Sequence, residues 1–482
     1  MRAPGTDAGR AYNARAMFSF RVRRAARRAR MSFFYRLFLP LVPGTVSFAP
    51  ARAGERGLGE GPAWLLSALL LLSAAWPARA QMTIEITGVG SQQIPIAVAP
   101  FRADDTAPED VASIIRADLT RCGLFRMIDA GTVAPDETSQ LDLADWKSRG
   151  ADDVVVGTAV RLGNNRIEVR YRLYDSAKGA QVDGQAFTSG GSDMRQVAHQ
   201  IADRIYEVLT GFKGVFSTRI AYVVRFSPNH YELQVADADG ANPQTALSSR
   251  ESIISPVWSP DGRMLAYVSF ESRRAVVYVH NLATGERKAV AAYPGSNSAP
   301  AFSPDGKSLA VVLTRDGNSE VYVMGVDGSN PRRMTNDPAI DTEPMFSADG
   351  AWIYFVSDRS GGPQIYRMPA DGGEAQRMTF RGEYNITPRI SPDGKTLVYV
   401  SRRSDLFQVE ALDLASSQET TITDTVLDES PSFAPNGRLI LYATEVGGRG
   451  ILALASADGL ARARLSGPNG DVREPAWGPF FR

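Results

Sequence analysis

From residue 256 onward, apolar and polar positions recur with a period near 44 residues. A proline stands two residues before a bulky apolar residue at Pro256 and Trp258, Pro300 and Phe302, Pro344 and Phe346, Pro388 and Ile390, Pro431 and Phe433, and Pro475 and Trp477. The spacings are 44, 44, 44, 43 and 44. The first five are followed by a turn, Ser259-Pro260-Asp261-Gly262 and its counterparts at 303–306, 347–350, 391–394 and 434–437. Proline presets φ, Asp or Asn suits the third position, and Gly takes the positive φ that leads back into a strand. Nearly continuous apolar runs then begin at Leu265, Leu309, Ile353, Leu397 and Ile440. A strand covered on both faces reads this way. A polar loop, a third strand (276–282, 321–326, 365–370), a tight turn such as Asp327-Gly328 or Asp371-Gly372, and a more polar fourth strand complete the unit. Four antiparallel strands in such a period predict a β-propeller blade. Proline and Asp-Gly turns inside every repeat disfavour a helical repeat, and a long sandwich has no reason to keep the period.

The run starting at Ile220 matches a second strand but has no first strand before it, while Pro475 to Trp477 form a first strand with almost nothing after it. The two ends should therefore complete one blade. This predicts six blades in a ring closed by both chain ends over 214–482, with no blade face left unstacked.

Residues 94–213 lack the period and predict a small α/β domain. Strands are expected at 94–101, 153–160, 167–174 and 181–187. A helix over 108–123 carries Val111, Ile114, Ile115 and Leu119 on one face. A second helix over 192–210 has Ser192 as N-cap, a stripe of Met194, Val197, Ile201, Ile205 and Val208, and Gly211 as its stop. The fold class is thus mainly β: a C-terminal six-bladed β-propeller preceded by a small α/β domain.

Ahead of this lies a different kind of sequence. Residues 63–76 (AWLLSALLLLSAAW) carry no charge, and Pro77-Ala78-Arg79-Ala80 follows. The run is short for a membrane span of about 20 residues. It fits the apolar part of a signal peptide cut before Gln81, so export with 1–80 removed is expected. A buried core helix is the alternative, disfavoured because the run is apolar all round and abuts a composition break. The basic stretch at 21–30 reads either as a nucleic-acid-like arm or as an over-long leader with a start assigned too early; Met17 and Met31 are later starts. Segment 81–93 (QMTIEITGVGSQQ) is β-prone and reads either as an edge strand of the domain or as a detachable arm that adds a strand to a partner.

Charge follows the same division. The whole chain holds 53 basic and 53 acidic side chains. Removing the 13 arginines and three acids of residues 1–80 leaves 40 against 50, a net charge of −10. That excludes a nucleic-acid protein as a first reading. One cysteine, Cys122, excludes an intramolecular disulfide and a cysteine-cage zinc site. It reads as a buried small hydrophobe, with a reactive thiol as the lesser alternative. His199, His230 and His280 match no metal motif, and neither metal nor cofactor is expected.

Enzyme signatures fare poorly. Gly306-Lys307-Ser308 and Gly394-Lys395-Thr396 resemble the end of a phosphate loop, but Ala301 and Arg389 stand where its first glycine belongs. There is no G-x-S-x-G elbow and no H-E-x-x-H. Asp237-Ala238-Asp239-Gly240 resembles a calcium loop only in passing and falls at a blade turn. No catalytic residue is expected.

A recognition surface is easier to place. In a blade, the loop between strands two and three shares a face with the loop from strand four to the next blade, and the SPDG turns lie opposite. The first face carries the variable loops, which suit binding on a rigid scaffold. The candidates there are His230, Ser249, Arg250, Ser269, Phe270, Glu271, Asn297, Asp341, Thr342, Glu343, Tyr384 and Asn385. For any one of them, an ordinary solvated loop residue is the blander reading.

An exported α/β domain followed by repeats of P-x-F/W-S-P-D-G-x-x-L-A-Y-V-S, six blades, segment 81–101 and an abrupt Pro475-Ala476-Trp477 ending resemble the TolB family of periplasmic propellers of the Tol–Pal envelope system. The resemblance spans 81–482. It implies a non-enzymatic, monomeric periplasmic adaptor without nucleic-acid binding or a membrane span in the mature chain. The propeller would bind Pal, the peptidoglycan-associated lipoprotein, on the variable-loop face. Gln81, Met82, Thr83, Ile84, Glu85 and Ile86 would belong to an arm that binds TolA of the inner-membrane Tol complex. That implication favours the arm over the edge strand for 81–93. Other outer-membrane proteins are further partners to be expected, and the implied role is outer-membrane integrity and constriction at division. The alternatives are an exported propeller enzyme and a glycan-binding propeller.

Overall fold

The computed structural model describes residues 93–103, 110–162, 166–190, 193–465 and 467–481. The apolar run at 63–76, the cut before Gln81, arm residues 81–92 and Ser192 lie outside the described residues.

The N-terminal domain is a sheet covered by helices. Its strands are β1 (Ile94–Val98), β2 (Arg102–Ala103), β3 (Phe125–Ile128), β4 (Asp153–Arg161), β5 (Arg166–Asp175) and β6 (Ala180–Gly190). They run in the order β3-β1-β4-β5-β6, with β2 beside β4. β1 is parallel to β3 and β4, and β4, β5 and β6 are antiparallel neighbours. Helix α1 (Val111–Arg121) is capped by Asp110, whose side chain accepts from Ser113 N, and buries Val111, Ile115 and Leu119. The short helix α2 (Leu143–Ser148) is capped by Asp142 and buries Trp146. Helix α3 (Met194–Thr210) buries Met194, Val197, Ile201 and Ile205 and stops at Gly211 with φ 76°. Its N-cap is Asp193, which makes no side-chain capping bond. β2, β3 and α2 are additions to the sequence expectation. Each is short, and the first two carry too few residues to show a period.

The propeller has six four-stranded sheets. Blade one combines β7 (Arg219–Ser227), β8 (His230–Asp237) and β9 (Gln244–Ser249) with the last strand, Asp471–Trp477, so both ends close the ring. The first strands of all six blades pack side by side in a closed circle and therefore line the axis. One aromatic in the second strand fills most blades: Tyr222, Tyr267, Phe355, Tyr399 and Tyr442 are all buried. Blade three has the smaller Val311 there, opposite the buried Tyr322.

The α/β domain docks on the tight-turn face at blades one and six. Asn436, in the Ala-Pro-Asn-Gly turn of blade six, donates to Lys213 O at 2.9 Å, and Arg438 stacks on Phe212 at 3.6 Å. Gly123, at φ 78°, lies so close to Ala461 that a Cβ there would stand 2.2 Å from the alanine methyl. One apolar core runs from α1 and α3 into β7 and blade six. No described helix is long and apolar enough to cross a membrane.

Candidate partner-binding face

With the α/β domain on the tight-turn side, the opposite face carries the loops between second and third strands and between blades. Six of the eight exposed large apolar side chains described in the propeller lie there: Phe226, Ile340, Phe380, Leu406, Val426 and Val446. Phe380 is 72% exposed and Ile340 53%. A rigid scaffold that concentrates exposed apolar groups on one rim has the character of a binding surface. Polar turns hold them up. Ile340 N donates to Asp358 Oδ1 at 2.8 Å, Arg377 stacks under Phe380 at 5.2 Å, and Asp428 accepts from Thr423 and Thr425 beside Val426.

The twelve sequence candidates fall into three sets. His230, Arg250 and Glu271 are exposed, and Phe270, Thr342 and Tyr384 are half-buried on this rim. His230 Nε2 lies 3.0 Å from Glu232 Oε1 and its ring packs on Phe226. Glu271 accepts from Arg287 at 2.6 Å, and the Tyr384 ring meets Phe407 edge-on.

A second set is buried and clasps the loops. Asn297 accepts from Tyr293 N at 2.9 Å and donates to Ala275 O at 3.1 Å. Asn385 donates to Gln364 Oε1 and Arg381 O, both at 2.8 Å. Asp341 takes two bonds from Arg359 Nη2, at 3.0 and 2.8 Å, and burial pushes its carboxyl above the ordinary range despite that partner. Ser249 and Ser269 close local turns with Glu251 and Glu271. Asn297, Asp341, Asn385 and Asp428 occupy the same place in successive blades, so the period that marks them reflects loop anchoring.

Glu343 belongs to neither set. It sits at φ 52° in a first strand, and Ser255, Ala299, Thr387, Ser430 and Glu474 take the same left-handed turn in the other blades. Each precedes the repeated proline, so the ring of bulges at the axis was visible in the sequence as one position per period. Glu343 accepts from Thr387 N, and Ser430 donates to Glu474 at 3.3 Å. Arg473 stands 3.4 Å from Glu429. Burial pushes Glu474 up to about 7, with the Glu429 charge adding to it. The axis therefore holds acids interleaved with Arg389 and Arg473, whose charges interact with Glu343, Glu474 and Glu429.

Comparison with known proteins gives the same two parts. Residues 206–481 match the TolB beta propeller domain and residues 82–182 the TolB amino-terminal domain. A Tol-Pal system protein TolB from Dechloromonas aromatica is 66% identical over 413 residues, covering 86% of this chain and 97% of the relative. Its counterpart in Albidiferax ferrireducens is 63% identical over 416 residues, covering 86% and 98%. The crystal structure of TolB from Acinetobacter baumannii matches at 41% identity with a TM-score of 0.77, covering 83% of this chain and all of that one. The chain belongs to the TolB family.

Proposed function

We propose that the chain is a non-enzymatic periplasmic adaptor of the Tol–Pal system. It binds Pal on the variable-loop face of the propeller and TolA through an arm at 81–93, and supports outer-membrane integrity and constriction at division. The observation that carries this reading is the gathering of Phe226, Ile340, Phe380, Leu406, Val426 and Val446 on the face opposite the docked α/β domain. An apolar rim with polar clasps beneath it suits a folded protein partner. His230, Arg250, Glu271, Thr342 and Tyr384 set the polar contacts of that rim and Phe270 adds to its apolar part; the buried candidates act through loop shape.

The charged axis favours a second reading, since a propeller enzyme needs such a cluster. Glu474→Gln separates the two. The adaptor reading expects Pal capture from envelope extract to survive this change, and a substrate turned over by the parent but not by the variant would overturn it. Capture of sugar fragments in place of Pal would support a glycan-binding propeller instead.

Deleting residues 81–92, and sparing Gln93, which donates to Gly123 O and Phe125 O, should remove TolA binding in a pull-down while leaving the melting temperature unchanged. Unaltered TolA binding would reject the arm.

A further inference from the structure

A buried charged cluster joins the two domains, and partner binding makes no use of it. His199 on α3 is fully buried. Its Nδ1 lies 2.6 Å from Asp118 Oδ2 on α1, and Asp118 also accepts from Arg121. The end of β8 and the turn after it bring Asp237 and Asp239 from the propeller. One ring nitrogen of His199 and one carboxylate oxygen from each lie within 4.8 Å of one another. Arg195, one turn before His199, donates to Asp239 and stands 3.4 Å from Asp237. Arg121 is 3.9 Å from Asp239. Asp203, one turn after His199, is tied to the amides of Phe216 and Ser217.

The net charge of the cluster decides what it holds. Around the imidazole, three carboxylates (Asp118, Asp237, Asp239) meet two guanidiniums (Arg121, Arg195), leaving one uncompensated negative charge; Asp203, whose carboxyl burial pushes up to about 6, adds to the negative field at Asp118. Buried unpaired charge is strongly unfavourable. An imidazolium closes the balance. In the structure His199 Nε2 is buried with no hydrogen-bond partner, so an added proton there would answer to the propeller carboxylates. A divalent cation on the same groups would overshoot the balance and compete with two guanidiniums for Asp239.

We propose that this cluster is a proton-dependent latch between the α/β domain and the first blade, closed while His199 is charged. Burial alone would lower the imidazole pKa. The Asp118 charge and hydrogen bond, then Asp239, outweigh it, and the net direction is upward from 6.5. A histidine raised in the folded state contributes stability that is complete below its unfolded pKa and is lost as pH rises through its folded one. The latch is therefore tight in mild acid and loosens on the alkaline side.

The test is an NMR titration of the three histidines of the protein, with hydrogen exchange of α1 and α3 amides corrected for intrinsic rates. His199 should titrate above 6.5. Interface exchange should rise by up to about tenfold for each pH unit between 6.5 and that midpoint, and level off above it. His199→Gln should remove the pH dependence, and Asp239→Asn should lower the His199 midpoint; the second variant carries the test if the first fails to fold. Titration of His199 at or below 6.5, or pH dependence persisting in His199→Gln, would overturn the latch. Protection that ignores pH but rises with added zinc would also overturn it, in favour of a bound cation.

Discussion

Removal of residues 471–482 should abolish cooperative folding of the propeller. The last strand, Asp471–Trp477, is the innermost strand of blade one and pairs with β7 from Asp471 opposite Arg225 to Trp477 opposite Ile220. Trp477 Nε1 donates to Thr218 Oγ1 at 2.8 Å, and Trp258 of the next blade donates to Ala476 O at 3.1 Å. Losing the strand strips three contacts at once: the β7 ladder, the buried indole, and the link in the circle of first strands. Emptying a buried tryptophan site alone costs about 3–5 kcal/mol. A whole domain has only about 5–15 kcal/mol to lose. The truncated protein should be digested within minutes by a protease that spares the parent, and it should show no sharp thermal transition. A sharp transition near the parental temperature would mean that the ring does not depend on closure by both chain ends.

Arg359→Ala comes next in size. Asp341 is fully buried, and Arg359 gives it two hydrogen bonds while stacking on Phe355 and Tyr366. Breaking a buried pair from one side leaves an uncompensated carboxylate and costs about 3–5 kcal/mol. Burial already raises the Asp341 carboxyl above 3.8, and the variant raises it further. A carboxyl raised in the folded state favours folding as pH falls, because the native state then binds more protons. Chemical denaturation should therefore show a larger loss at neutral pH than at mildly acidic pH. Adding Asp341→Asn should recover part of it. An equal loss at both pH values would place the effect in the lost aromatic stacking, apart from the charge.

The blades were legible because each of their features repeats. Proline, the SPDG turn and the apolar second strand recur six or five times, and a ladder that must stack on its neighbour leaves little freedom in spacing. Offset counts of first and second strands at the two ends gave the closure. Elements without repetition were harder. β3 carries four residues and α2 six, too few to show a hydrophobic period. The variable-loop face was legible as a face, but several of the residues named on it are buried. Asn297, Asp341 and Asn385 look like recognition residues in a loop because Asn and Asp are polar and exposed on average. Here their side chains are spent on loop backbone and on Gln364 or Arg359. Phe380 and Val426 gave a signal that was available: large apolar residues inside polar loops, out of phase with the core. The latch was the least legible part. His199, Asp118 and Asp239 lie on three separate elements, and only the docking of one domain on the other brings them together.

The proposed adaptor role requires that the variable-loop face of the ring hold the partner. Calorimetric titration of the purified protein with Pal, the partner proposed for it, freed of its lipid, tests that directly. Phe380→Asp combined with Ile340→Asp should weaken binding by at least tenfold, about 1.4 kcal/mol. Lys307→Glu combined with Lys395→Glu, on the tight turns of the opposite face, should leave it unchanged. Full affinity in the first variant together with loss in the second would contradict the assignment of the variable-loop face.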